Sequence, residues 1–433
     1  MDVAVVGGGI TGLACAHYLL GQGFRPVVLE ATRQFGNLSA RCRHRTWTLD
    51  GFHLPLRRHD TALCGMVSDL HLDHLLRWRP TTRGVALPSG QRRDLSRSSD
   101  LLRWPGLSLG NRLRALSATY ASLRLYPYVR SLDDITAADW LAKLYGKRTF
   151  EQTWLPALEA LFSAEYAAEV PAYRAWQRLR HSLGQQQSVR GYLRGGLDLL
   201  CAKLAKSIVE RGGEVHLGTP VHGFEASPER VVLDLGEKEL PVDAVILTPA
   251  LAELASLGQS FARSATWALP LPAPQRELSM VSALVLARAE ARPFYSTLSL
   301  DRETPFPVMV DAGQLIPSEA TEGLRPIYLE RLCHPSSGAY RLSDEVWTKQ
   351  AVQTLRALDP SFDAASIERI EIFRAVGVDP AWPVGSLQRR TAPRASRGPI
   401  YLCTSNQIYP REPGPDSAIM QAREVVARLV AEF

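Results

Sequence analysis

The chain has 433 residues, 45% of them apolar, with a formal charge of +6 at pH 7. That length holds two or three domains with buried cores, and no uninterrupted apolar run reaches the roughly 18 residues of a membrane-spanning helix. The cationic side is lopsided, 44 Arg against 6 Lys. It reads either as the mark of a GC-rich genome or as an Arg-lined pocket for phosphate or carboxylate oxygens, which the guanidinium fork matches.

The six cysteines (15, 42, 64, 201, 333, 403) lie at least 22 positions apart. That spacing excludes CxxC redox pairs and Cys-rich zinc sites, and it fits a reducing cytoplasm. The chain enters a strand by residue 3 without a basic n-region or small-residue cleavage site, so no signal peptide is expected. The ten histidines show no HExxH-type spacing, so no metal site is expected.

Residues 2–7 form an apolar β run, 10–21 an amphipathic helix and 26–30 a second strand, a βαβ unit of mononucleotide-binding size. The turn reads Gly7-Gly8-Gly9-Ile10-Thr11-Gly12. Gly7 permits the tight turn, Gly9 lets backbone approach a pyrophosphate, and Gly12 lets the helix pack close to the sheet. The helix N-terminus then offers N–H groups to phosphate. Glu30 ends the second strand, where a carboxylate accepts ribose hydroxyls and disfavours a 2′-phosphate.

From about 66 to 186 the apolar spacing of three and four predicts helices. Helix 196–211 is stopped by Gly212-Gly213, and strands follow at 214–217, 220–225, 230–235 and 242–247. Residues 278–335 alternate apolar and polar, as antiparallel strands do. Helix 343–357, strand 369–374, strand 399–403 and helix 416–431 complete the chain. The layout predicts an α/β protein in which one nucleotide domain is assembled from three separated segments.

Several stretches carry a resemblance. "ERGGEVHLGTPVHGFE" followed by "VDAVILTPA", "GYLRGGLDLLCAKLA", "DPAWPVGS" and the closing "IYLCTSNQIYPREPGPDSAIMQAREVVARLV" are similar to segments of the superfamily of flavin amine oxidases, protoporphyrinogen oxidases and phytoene desaturases. The ending resembles bacterial protoporphyrinogen-oxidase-like FAD-dependent oxidoreductases. The resemblance implies a Rossmann-like FAD-binding domain built from 1–65, 190–255 and 385–433. It implies an inserted α+β substrate domain, helical over 66–189 and sheet over 256–384. FAD is then held non-covalently by Gly7, Gly9, Ile10, Thr11, Gly12, Glu30 and Ala31, by Gly36, Asn37, Leu38 and Ser39, by Val221, Thr248 and Pro249, and by Thr404, Ser405, Ser417 and Ala418.

Two places depart from the family pattern. Asn37 stands where a second glycine is usual, and Asn tolerates positive φ better than most residues. Thr404-Ser405 replace a Gly-acid pair, and their hydroxyls can donate to phosphate. The lysine that amine oxidases place beside the flavin is also missing: between 256 and 384 the one lysine is Lys349, inside a helix. Desaturase-like or protoporphyrinogen-oxidase-like chemistry is therefore favoured.

His59-Asp60 reads as a general-base pair, or His59 with Arg57-Arg58 as a solvated loop or nucleotide-facing cations, Trp382 as a pocket wall or a buried aromatic, and Cys403 as a small buried hydrophobe. Helix 108–125, with Arg112, Arg114 and Arg124, reads as an amphipathic core helix or pocket wall, or as a membrane-surface contact. The expectation is a cytoplasmic, or membrane-peripheral, FAD-dependent oxidoreductase. It takes hydride from a small organic substrate and has no nucleic-acid partner. A flavin-dependent non-redox mutase of a nucleotide sugar and a non-catalytic flavin-fold protein stand as alternatives.

Overall fold

The structure is a computed structural model that describes residues 1–36, 41–44, 47–124, 129–183, 188–250, 254, 277–389, 392 and 398–433. Its centre is a five-stranded, all-parallel sheet whose strands come from three distant stretches: Asp2–Val6, Arg25–Glu30, Glu214–Leu217, Ala244–Leu247 and Ile400–Leu402. Asp2–Val6 sits in the middle, between Arg25–Glu30 and Ala244–Leu247. The chain leaves this strand toward one side and returns on the other, so its carboxyl end is a topological switch point.

Alternation along the strands builds a core on each face. Val3, Val5, Val28 and Ile246 pack with Leu13, Leu204 and Ile419 from three helices, Ile10–Gly21, Gly196–Glu210 and Pro415–Val430. Ala4, Val6, Val27, Leu29 and Val245 face the other way, onto Val231, Leu233 and Val242 of a three-stranded antiparallel meander. A sheet covered on both faces is what near-continuous apolar strands require.

The second layer is a seven-stranded sheet containing Glu277–Ala287, Ser296–Ser299, Val308–Asp311, Arg325–Cys333 and Ile367–Pro380. Helix Asp344–Leu358 packs on it through Trp347, Ala351 and Leu355. The helical part includes Leu109–Arg124, Ala137–Tyr145, Leu155–Phe162 and Ala172–Leu183.

One sequence expectation is corrected. The stretch from 66 to 186 is not helical throughout, because Leu76–Thr81, Arg83–Ala86 and Arg92–Asp94 are strands. Arg83–Ala86 and Arg92–Asp94 extend the seven-stranded sheet, and Leu76–Thr81 pairs with Ser188–Leu193. The partners of Leu76–Thr81 and Arg83–Ala86, Ser188–Leu193 and Ser296–Ser299, lie far away in sequence, and Arg92–Asp94 joins the sheet as a hairpin on Arg83–Ala86. Arginines on alternate positions also hide the period-2 pattern that a local reading needs.

Among the described residues no helix is long and apolar enough to cross a membrane, and no group of three or more His, Cys, Asp or Glu gathers to hold a metal ion.

Candidate functional site

The glycine turn lies at the carboxyl end of the central strand, and each glycine has its own constraint. A Cβ on Gly12 would stand 1.9 Å from the Gly7 carbonyl oxygen, so only glycine lets the helix approach the strand this closely. Gly7 has φ +107°, and a Cβ there would meet the Thr248 hydroxyl at 2.3 Å. Gly9 is different: a Cβ there would meet nothing nearer than the Gly36 Cα at 3.9 Å. The space over Gly9 is therefore open, bounded by Gly36 across the gap. Helix Ile10–Gly21 starts here with no side-chain cap and no acid in its first turn. Its first N–H groups and its dipole are left to an anion.

Glu30 is anchored more firmly than the sequence implies. Its Oε2 accepts from the Gly8 amide at 2.7 Å and its Oε1 from the Thr32 amide at 2.9 Å, while the Thr32 hydroxyl shares its one proton between Glu30 Oε1 at 2.8 Å and the Gln34 carbonyl at 2.6 Å. A carboxylate has about four lone-pair positions, so roughly one remains for a ribose. Thr32 is a positioning residue that sequence reasoning missed. Ala31 beside it is exposed.

Thr248 and Pro249 are brought onto the same turn, but the Thr248 hydroxyl donates to the Val6 carbonyl at 2.8 Å. Val221 is buried among Val6, Leu29 and Leu247, just past the point where the Thr219 amide bonds the Glu30 carbonyl. Asn37, Leu38 and Ser39 lie outside the described residues.

The closing segment is knit inward. Thr404 is buried, and its amide donates to Gln407 Oε1 at 3.0 Å. Gln421 Nε2 donates to the Thr404 carbonyl at 3.0 Å. Ser405 is half-buried. Ser417 turns its hydroxyl back to the Glu412 carbonyl at 2.6 Å, and the Ala418 amide bonds Gly414 at 3.0 Å. Asp416 Oδ1 accepts from the Ala62 and Leu63 amides at 2.8 and 2.9 Å, joining the start of this helix to the start of helix Thr61–Asp69.

Other singled-out residues find structural roles. Asp60 Oδ2 accepts from the Arg57 amide at 2.6 Å, while His59 is exposed. Trp382 is buried and donates Nε1 to the Asn406 carbonyl at 3.0 Å. Cys403 is fully buried beside Cys15, and burial raises its thiol pKa well above the ordinary range. Lys349 is exposed on its helix. Helix Leu109–Arg124 buries Ala115 and Ala118 and exposes Leu109, Leu113 and Tyr120.

A polar cluster beside the seven-stranded sheet escaped the sequence reading. His53 donates its amide to Glu330 Oε1 at 2.9 Å, and its ring Nε2 is hydrogen-bonded to the Tyr295 hydroxyl. The Tyr328 hydroxyl donates to the Asp50 carbonyl at 2.7 Å. Burial, with the charge of Arg190, pushes the His53 imidazole down to about 3. Burial pushes the Glu330 carboxyl up to about 7, against the bond from the His53 amide. At neutral pH the site therefore holds an uncharged imidazole beside a carboxyl poised to carry a proton. The signal in the sequence was "LDGFH", six residues before the His59-Asp60 pair that drew attention.

A cavity opens between the helical part and the seven-stranded sheet. Its walls are almost wholly apolar, among them Trp104, Leu107, Trp154, Leu158 and Leu298, and the polar side chains are Thr149, Thr153 and Arg178. Arg178 Nη1 reaches Glu412 Oε1 at 2.9 Å, and Arg57 Nη1 holds the other oxygen at 2.5 Å. The charged end of the cavity is thus tied to the loop that starts the closing helix.

Comparison with known proteins agrees with this geometry. The profile of the family described as "Flavin containing amine oxidoreductase" matches residues 10–293. A 15-cis-phytoene desaturase of Synechococcus elongatus is 24% identical over 280 residues, 58% of this chain and 58% of that protein. That of Glycine max is 22% identical over 258 residues, 54% of this chain and 44% of that protein. The matches therefore span about half the length of these relatives.

A candidate protoporphyrinogen oxidase of Exiguobacterium sp. 255-15 superposes with TM-score 0.78 at 17% identity, covering 100% of this chain and 99% of that one. A reduced UDP-galactopyranose mutase does so with TM-score 0.72 at 13%, covering 100% and 96%. These two establish the fold alone. The chain belongs to the superfamily of FAD-dependent amine oxidases, protoporphyrinogen oxidases and phytoene desaturases.

Proposed function

We propose that this protein is an FAD-dependent oxidoreductase that removes hydride from a small organic substrate. The observation that carries the reading is the glycine turn: Gly12 locked against Gly7, with open space over Gly9 at the switch point of a parallel sheet. The residues present fit the group. Ile10, Thr11 and Gly12 would hold the pyrophosphate at the helix N-terminus, Glu30 the ribose, and the Val221 backbone the adenine side. Ser405 and the turn containing Ser417 and Ala418 would hold the far end. Bound FAD would supply the hydride acceptor, which no side chain can.

The chain's own part is to bind, orient and exclude water. The apolar cavity keeps solvent away, and the buried cluster of Glu330, His53 and Tyr295 can hold and pass a proton. The near-total lack of polar wall weighs against a nucleotide-sugar mutase, whose substrate needs many hydrogen bonds. The intact glycine geometry weighs against a non-catalytic protein.

The test is direct. Purified protein incubated with FAD and desalted should keep flavin visible absorbance, and a substrate should bleach it anaerobically without added reductant. A protein that keeps no flavin overturns the reading. Product isomeric to substrate with a prereduced flavin moves it to the mutase class.

A further inference from the structure

Arg190 occupies the middle strand of a small sheet, Ser188–Leu193, flanked by Leu56–Arg57 and Leu76–Thr81. In register it stands directly opposite Arg57 on one side and Arg79 on the other. Three arginines therefore lie in one row on one face. Like charges placed directly opposite are destabilising, so a row that persists points to an anion that belongs there.

The intramolecular compensation is incomplete. Arg57 shares Glu412 with Arg178, while Arg190 has no ion-pair partner among the described residues. Its Nη1 donates a long hydrogen bond, 3.4 Å, to the neighbouring Val189 carbonyl. Burial and the nearby Arg57 guanidinium both push Arg190 below its ordinary value. Arg83, desolvated and repelled by Arg190 and Arg57, is pushed to about 10.

This cationic row adjoins the apolar cavity by two routes. Arg178 is both a wall of the cavity and the partner of the Glu412 that binds Arg57. Val85, another wall residue, lies two positions after Arg83 on the same strand and so points to the same face. Two polar atoms of the lining, Arg178 Nε and Thr149 Oγ1, are buried with no hydrogen-bond partner among the described residues. Thr149 directly precedes a π turn, Phe150–Trp154, a widening that recurs at ligand sites.

We propose that the site takes an amphiphile, its apolar body lodged in the cavity and a carboxylate or phosphate head held by Arg57, Arg190 and Arg178. Calling this molecule the substrate rests on the oxidoreductase reading above; the binding site itself does not.

Trp104 and Trp154 line the cavity and make tryptophan fluorescence the readout. The full-length protein is titrated with decyl phosphate, decanoate and decanol, all below their micelle thresholds, and with inorganic phosphate. Saturable quenching by decyl phosphate or decanoate is expected, with Kd about tenfold or more below that for decanol. R190Q should raise the Kd of the anion about tenfold and leave decanol unchanged, and R190K should restore much of the loss. Ala157→Phe, which fills the cavity, should weaken anion and alcohol alike.

Response to decyl phosphate alone assigns the head to phosphate, and response to both anions assigns it to either. Equal affinity for anion and decanol in the wild type overturns the proposal, and that comparison needs no variant to fold. So does an R190Q protein that binds decyl phosphate normally but retains less FAD, which would give the arginines to the cofactor. A protein that holds no flavin yet binds decyl phosphate overturns the oxidoreductase reading alone.

Discussion

Arg174 and Asp379, 205 positions apart, form a two-pronged ion pair inside the protein, Nη1 to Oδ1 at 2.7 Å and Nη2 to Oδ2 at 2.8 Å. Both side chains are almost fully buried. Arg174 also donates to the Pro380 carbonyl at 3.1 Å and stacks its guanidinium over Trp382 and Phe162. The pair fastens the helical part to the end of strand Ile367–Pro380, beside the closing segment. The "DPAWPVGS" stretch is therefore held in place by a charge whose partner lies in another element.

Breaking this pair on one side leaves a buried charge without its two-pronged partner, Asp379 keeping only Arg178 at 4.0 Å, and costs up to about 3–5 kcal/mol. Asp379→Asn and Arg174→Met should each lower the urea midpoint by an amount near that. The double variant should cost less than the sum of the two. A double-mutant cycle with additive losses would show that the two groups do not act as a pair.

Gly12→Ala forces a methyl group into the Gly7 carbonyl oxygen. Strand or helix must move, at a cost of about 1–3 kcal/mol for an overpacked core. Thermal unfolding should show the loss, and flavin retention should fall with it, because the same shift disturbs the Gly9 gap. Gly21→Ala is the control: a Cβ there meets nothing within 4 Å, and stability should be unchanged or slightly raised.

Thr32→Val keeps the amide bond to Glu30 and deletes the hydroxyl bond. A hydrogen bond to a charged group is worth about 1.5–3 kcal/mol, part of which appears in ligand affinity. FAD should bind about tenfold more weakly, read by fluorescence titration, with little change in unfolding of the flavin-free protein. An unchanged Kd would remove Thr32 from the site.

Asp50 gives a pH signature. Desolvation outweighs the bonds it accepts from the Leu197 and Asp198 amides at the start of helix Gly196–Glu210 and lifts its carboxyl from 3.8 to about 7. The folded protein therefore keeps a proton that the unfolded chain releases between those values. The stability this provides is complete below pH 3.8 and lost as pH rises through about 7. Asp50→Asn cannot titrate, so the stability difference should swing toward the variant by about 1.4 kcal/mol per pH unit inside that window. Glu330 runs in the same sense; His53, neutral down to about 3, runs in the opposite one. Comparing wild type with D50N isolates the single group. A pH-independent difference would place Asp50 at an ordinary value.

Much of the parallel-sheet half was legible in the residues alone. A strand ending in Gly-x-Gly-x-x-Gly, a helix and an acid at the end of the next strand are consecutive, and their constraints are local: φ, close approach and helix capping. The periodicity of 196–247 and 399–431 likewise announced the remaining strands and helices of the same sheet. Local reading failed where the partner was distant. Leu76–Thr81 becomes a strand because Ser188–Leu193 lies beside it. His53 rather than His59 enters the interior because Tyr295 and Glu330 receive it.

Composition showed an excess of arginine and left two explanations open. Tertiary pairing alone set Arg57, Arg190 and Arg79 side by side and linked Arg57 through Glu412 to Arg178 in the wall of an apolar cavity. Backbone constraints act between neighbours and are written in sequence. Charge rows, buried pairs and cavities arise between residues that only folding brings together, so the glycine turn was readable early and the placement of the arginines was not.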